Sequence, residues 1–88
     1  MAKSKVGAWS KFIDDAEKID KNRAIAVARR ILQDGPLNKE AYATICGEPK
    51  IREQFLAKNV FAINSDGLYD FESKIVKNAV REQLDEAN

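Results

Sequence analysis

Late in a chain otherwise patterned for helix, two short β-branched and aromatic runs flank a turn. They read Val60-Phe61-Ala62-Ile63-Asn64, then Ser65-Asp66-Gly67, then Leu68-Tyr69-Asp70-Phe71. An Asp-Gly turn between such runs is a strong short-range hairpin signal. The expected fold is therefore mainly α with a minor β part, not all-helical. With 88 residues, 44% of them hydrophobic and 33% charged, the chain has room for one domain with an economical core.

The remaining punctuation divides the chain into five helical segments. Trp9, Phe12, Ile13, Ala16 and Ile19 follow the spacing of one helical face. Asn22 is the expected cap of a second helix over residues 23–33, with Ile25, Ala28, Ile31 and Leu32 as its stripe. A first helix running straight through Asp20-Lys21-Asn22 is the alternative. Asp34-Gly35-Pro36 is a firm stop, since Gly suits a left-handed cap and Pro cannot continue the helix. Asn38 then caps a short helix ending at Gly47, and Pro49 starts the next in its favoured first-turn position. This fourth helix, over 49–58, is anchored by Ile51, Phe55 and Leu56. Asn59 suits the left-handed residue that ends it, with Val60 packing back. After strands at 60–64 and 68–71, Asp70 or Ser73 caps a last helix carrying Ile75, Val76, Ala79, Val80 and Leu84, which frays from Asp85.

Charge and composition narrow the chemistry. Lys and Arg number 15 and Asp and Glu 14, a net charge of +1 that implies no strong field for nucleic acid or membrane. The charge is uneven: residues 1–33 hold eight basic and four acidic groups, and residues 61–88 hold three and six. Histidine is absent, which removes His-based metal sites and the Ser-His and Cys-His nucleophile pairs. The single cysteine, Cys46, has no partner for an intrachain disulfide, is expected in the core, and suggests a reducing compartment. No apolar run approaches the ~20 residues of a membrane span. The opening Met-Ala-Lys-Ser-Lys-Val-Gly lacks the apolar stretch of a signal peptide, so the cytoplasm, or the nucleus, is the expected location. No cofactor, metal or enzymatic activity is expected. Tyr42 and Tyr69 read as packing residues, and Asp14, Asp15 and Glu17 as a solvated face.

The order of helix, Gly-Pro-Leu, short helix, tight turn, helix, left-handed Asn, hairpin and helix resembles the winged helix-turn-helix superfamily over about residues 23–71. Ile31-Leu32-Gln33-Asp34-Gly35-Pro36-Leu37-Asn38-Lys39-Glu40-Ala41 looks like its first helix running into the short strand and second helix. Lys58-Asn59-Val60-Phe61-Ala62-Ile63 looks like the exit from a recognition helix into the wing. The resemblance implies one domain over residues 1–88, with the order α-α-α-α-β-β-α and a two-stranded wing. Residues 1–5 would be a basic arm, and 6–21 and 72–87 flanking helices. The order is also similar to small dimeric repressors that pair through their outer helices. Their metal-sensing versions need Cys and His ligands that this chain lacks.

On this reading the function is that of a small DNA-binding regulator or accessory factor. The alternative is a winged-helix module that docks on protein and binds no DNA. At ~100° per residue, Lys50, Glu53, Gln54 and Ala57 fall opposite Ile51, Phe55 and Leu56 on helix four. Lys50 suits guanine or a phosphate, and Gln54 suits adenine. Asn38 and Lys39 suit a phosphate at a helix N-terminus, and Lys58 adds charge nearby. Asn64 and Ser65 would be wing contacts, whereas Arg52 falls between buried positions and should snorkel. Against this, Lys39, Lys50, Arg52 and Lys58 face Glu40, Glu48 and Glu53, a local charge of only +1. A homodimer, or Lys3 and Lys5 lying on phosphates, would make up the deficit. The dimer or partner interface is expected at Trp9, Phe12, Ile13, Val76 and Val80, residues that serve equally as core.

Overall fold

Caps and breakers set where each helix begins and ends. The computed structural model describes residues 3–87, and the side-chain surroundings of residues 7–85. Its elements are α1 (Lys3–Glu17), α2 (Lys21–Asp34), α3 (Lys39–Cys46), α4 (Pro49–Ala57), β1 (Phe61–Ile63), β2 (Tyr69–Phe71) and α5 (Lys74–Ala87). Residues 3–5, expected as a basic arm, form the first turn of α1. Met1 and Ala2, and the side chains of Lys3 and Lys5, lie outside the described residues.

α1 and α2 are separate helices, and the cap of α2 is Asp20, not Asn22. The Asp20 carboxylate accepts a hydrogen bond from the Arg23 backbone N–H at 3.1 Å, so α2 starts two residues earlier than the sequence pattern predicts. A carboxylate is favoured there because it meets both orphan N–H groups and the positive end of the helix. Asn38 caps α3 as expected, accepting from the Ala41 N–H at 2.8 Å. α4 ends on Asn59 at φ 59°, with Val60 N–H donating to the Phe55 carbonyl and Asn59 N–H to that of Leu56. Those two bonds make the Schellman closure that the Asn-Val pair predicts.

The hairpin is tighter than expected. β1 and β2 pair antiparallel with Phe61 opposite Phe71, Ala62 opposite Asp70 and Ile63 opposite Tyr69. Val60 is taken by the closure of α4, while Asn64 and Leu68 bracket a three-residue loop whose Gly67 has φ 78°. The Asn64 side-chain oxygen accepts from the N–H groups of Asp66 and Leu68. A third stretch joins the sheet: Leu37, between α2 and α3, pairs with Tyr69 through two backbone hydrogen bonds of 2.9 and 2.7 Å. Ser73, not Asp70, caps α5, accepting from the Val76 N–H. α5 stays helical through Ala87, beyond the expected fraying point, and the side chains from Glu86 onward lie outside the described residues.

The core centres on Phe61, whose ring lies 5.5–6.4 Å from those of Phe55, Phe71, Phe12 and Tyr42. Every helix contributes at least one buried apolar residue to the same cluster. α1 and α5 pack side by side, and both also contact α2. Among the described residues, no buried side-chain nitrogen or oxygen lacks a hydrogen-bond partner. No described helix is long and apolar enough to cross a membrane.

Candidate nucleic-acid interface

The α3–turn–α4 unit depends on a contact the sequence pattern does not announce. Arg23, near the start of α2, donates from Nη1 to the Ile45 carbonyl at the end of α3, at 2.9 Å. The guanidinium thus caps one of the carbonyls that α3 leaves unpaired, at its negative end. The turn then passes through Gly47 at φ 79°, and Pro49 opens α4. Underneath, the Tyr42 hydroxyl donates to the Arg52 carbonyl at 3.1 Å and fixes α3 to α4. Tyr42 also stacks on Tyr69, centroids 4.1 Å apart and planes within 10°, which ties α3 to the hairpin. The start of α2, the α3–α4 pair and the hairpin are thus held in one block.

On α4 the expected division of faces is present. Phe55 is buried, Ile51, Arg52 and Leu56 are half-buried, and Lys50, Glu53, Gln54 and Ala57 are exposed. Lys58, exposed, is the residue after the last helical turn. Asn38 and Lys39 are exposed at the start of α3, although the Asn38 oxygen is occupied by its cap and only its amide NH₂ remains for a ligand. α3 packs on α4 and α4 on β1, so these residues lie on contiguous elements. Asn64, expected as a wing contact, is half-buried, and its side-chain oxygen is used to build the turn. Ser65 at the tip is exposed.

Two residues expected at a partner interface are instead interior. Phe12 is 3% exposed and Val80 0%, both within the chain's own core. The reason is the packing of α1 against α5, which turns the two amphipathic stripes onto each other. Trp9, Ile13 and Val76 pack at the edge of that core and are half-buried, and Trp9 lies over Phe12 with ring centroids 6.0 Å apart.

Burial opposes ionisation of two side chains inside this block, Tyr42 and Cys46. Burial pushes the Tyr42 phenol far above its ordinary range, and the neighbouring Cys46 thiol adds to the shift. Burial likewise raises the Cys46 thiol, although the Tyr42 hydroxyl and the charges of Arg52 and Arg23 oppose it. A thiol held protonated and fully buried is a packing residue. Among the described residues, no group of three or more His, Cys, Asp or Glu side chains is arranged to hold a metal ion.

Among the contacts that build this block, that of Arg23 is not legible in the sequence. A residue 22 positions from its acceptor leaves no local signal. The only hint is the glycine turn after Cys46, which leaves the end of α3 without a side-chain cap of its own.

Comparison of the chain with protein-family models, with curated proteins and with solved structures gives no match. The functional reading rests on geometry.

Proposed function

We propose that this chain is a small winged-helix DNA-binding factor that reads a short duplex site through α4. The supporting observation is the pairing of Leu37 with Tyr69, which joins the α2–α3 connection to the hairpin as a third strand position. On this reading α2, Leu37, α3, α4 and the hairpin would make up the winged unit, and α4 would be the helix offered to the major groove. Lys50 and Gln54 would meet base edges from its exposed arc, and Lys39 and Lys58 would hold phosphates. Ser65 would be the contact at the wing tip.

One such head carries little positive charge, and phosphate neutralisation supplies most nonspecific affinity. A homodimer would place two heads on one duplex. It would form through the half-buried Trp9, Ile13 and Val76 of α1 and α5, together with Ile75 of α5, which is 65% exposed. Sedimentation equilibrium at micromolar concentration tests it, and a clean monomer there and on DNA would end that part of the proposal.

The second reading is a protein-docking module. What favours it is Ile63, 52% exposed at the end of β1, beside a head of near-neutral charge. The deciding experiment is a fluorescence-anisotropy salt titration against random duplex DNA. Modest binding at about 50 mM salt that collapses by physiological salt is the result expected. Undetectable binding at about 50 mM would remove the DNA reading and leave the docking module in its place.

A further inference from the structure

Resting on the α4 reading above, we infer that Glu53 is a specificity-determining residue: it demands a cytosine, next to the guanine read by Lys50, in the duplex site. Three acidic residues lie around the head, and two of them have structural reasons to be there. Glu40 is in the first turn of α3 and Glu48 is the N-cap residue of α4, where carboxylates complement the helix dipole. Glu53 has no such reason. It lies in mid-helix, exposed, on the arc opposite the buried Phe55.

Nor is Glu53 neutralised by a neighbour. Lys11 pairs with Asp15 on α1, and Arg30 with Asp34 on α2. Among the described residues, Lys50, Glu53 and Gln54 form no side-chain hydrogen bond or ion pair, although Lys50 and Glu53 are three residues apart on one face. A free carboxylate at the centre of a DNA-facing arc repels the phosphates on both sides of the groove. It is compatible with binding only where it gains a donor.

The major groove offers that donor selectively. Cytosine presents its N4 amino group, and carboxylates accept from it. Guanine presents acceptors at N7 and O6, thymine an acceptor at O4, and adenine sets the N7 acceptor beside its amino group, so each opposes a carboxylate. Lys50 has the reverse requirement and is satisfied by guanine O6 and N7. Three residues of helix separate the two side chains by ~4.5 Å along the axis and ~60° around it. That matches a step of about 3.4 Å between successive bases. Gln54, one residue further, adds a preference for adenine at the flank. The ligand class is therefore a duplex with adjacent guanine and cytosine in the groove that α4 enters.

The test is selection from a randomised duplex pool with wild type, Glu53→Gln and Glu53→Ala, read by sequencing, with anisotropy on the unselected pool. Because Glu53 is exposed, all three proteins should share one thermal unfolding curve. Wild type should enrich cytosine beside guanine, by about 5-fold to 100-fold over the other bases. Glu53→Gln should move that position to adenine, since a carboxamide both donates and accepts. Glu53→Ala should flatten it and raise affinity for the unselected pool by about twofold, from a charge removed ~8 Å from phosphate in water. If wild type selects a site and Glu53→Ala selects the same bases equally well, the role of Glu53 is overturned while the α4 reading stands. If neither wild type nor either variant binds duplex, the two fall together.

Discussion

Gly47→Ala tests whether the α3–α4 turn is held as a unit. Gly47 has φ 79° and ψ −44°, outside even the left-handed helical pocket that Asn or Asp tolerates. An L-residue forced into so sparse a region costs about 2 kcal/mol. A Cβ there would also lie 3.0 Å from Nη1 of Arg23 and 3.3 Å from its Cζ, so the guanidinium must move. A shift of a few tenths of an ångström at the end of this flexible side chain costs at most the bond to the Ile45 carbonyl, worth about 1 kcal/mol at this exposed site. The sum is at most about 3 kcal/mol, a large share of the 5–10 kcal/mol typical of a domain this size. With a urea m-value of about 1 kcal/mol/M, the midpoint should fall by up to about 3 M. Urea titration followed by Trp9 fluorescence and far-UV circular dichroism measures it. Arg23→Ala separates the two costs, because in that background Gly47→Ala should lose only the backbone term of about 2 kcal/mol. An equal cost in both backgrounds would refute the Arg23 contact. A cost under about 0.5 kcal/mol would refute the strained turn itself.

Other perturbations follow from the same contacts. Lys39→Ala should weaken all duplex sequences alike and lower the salt slope by about one, whereas Lys50→Ala and Gln54→Ala should change base preference, as read by selection and anisotropy. Asn59→Val should cost about 1–2 kcal/mol, because a β-branched residue resists the positive φ of the α4 closure, while Asn59→Gly should be nearly neutral by urea titration. Tyr42 is raised by burial above its unfolded value of about 10, so its contribution is fully present below that pH and is lost as pH rises beyond it. An absorbance titration should therefore show the Tyr42 phenolate only together with alkaline unfolding, and Tyr42→Phe should remove that signal.

Features legible in the sequence were those whose cause is local. The Asn59-Val60 closure, the Asn38 cap and the faces of α4 depend on residues within one or two turns, and the spacing of apolar and capping residues specifies them. The start of α2 was misread because Asp20 and Asn22 are both good caps. Ile19 and Ala24, close to Asp20 on either side, pack in or against the core, and that packing is not a local signal. The turn-building role of Asn64 is hidden for a related reason: it depends on how the backbone of Asp66 and Leu68 turns back onto its side-chain oxygen. Phe12 and Val80 belonged to a stripe that suits a core or an interface equally. Their burial depends on α5 meeting α1 across most of the chain length, which no local pattern encodes.

The surfaces on which the proposals rest are carried by different helices. Duplex contacts would fall on α3, α4 and the hairpin tip, and a second copy would fall on α1 and α5. The salt dependence of binding can therefore count heads without disturbing either surface. One head offers two phosphate-directed cations, Lys39 and Lys58, so a monomer on DNA has a slope of about −2 on logarithmic axes. Two heads on one duplex would double it, to about −4. A standard interface covers about 800 Å² per partner, roughly one seventh of this chain's 5583 Å². An area that large must extend beyond the half-buried Trp9, Ile13 and Val76 to Ile75, so Ile75→Asp should return the slope to the monomer value while leaving the contacts of one head intact. A steep slope unchanged by Ile75→Asp would place the second head's attachment somewhere other than the α1–α5 face.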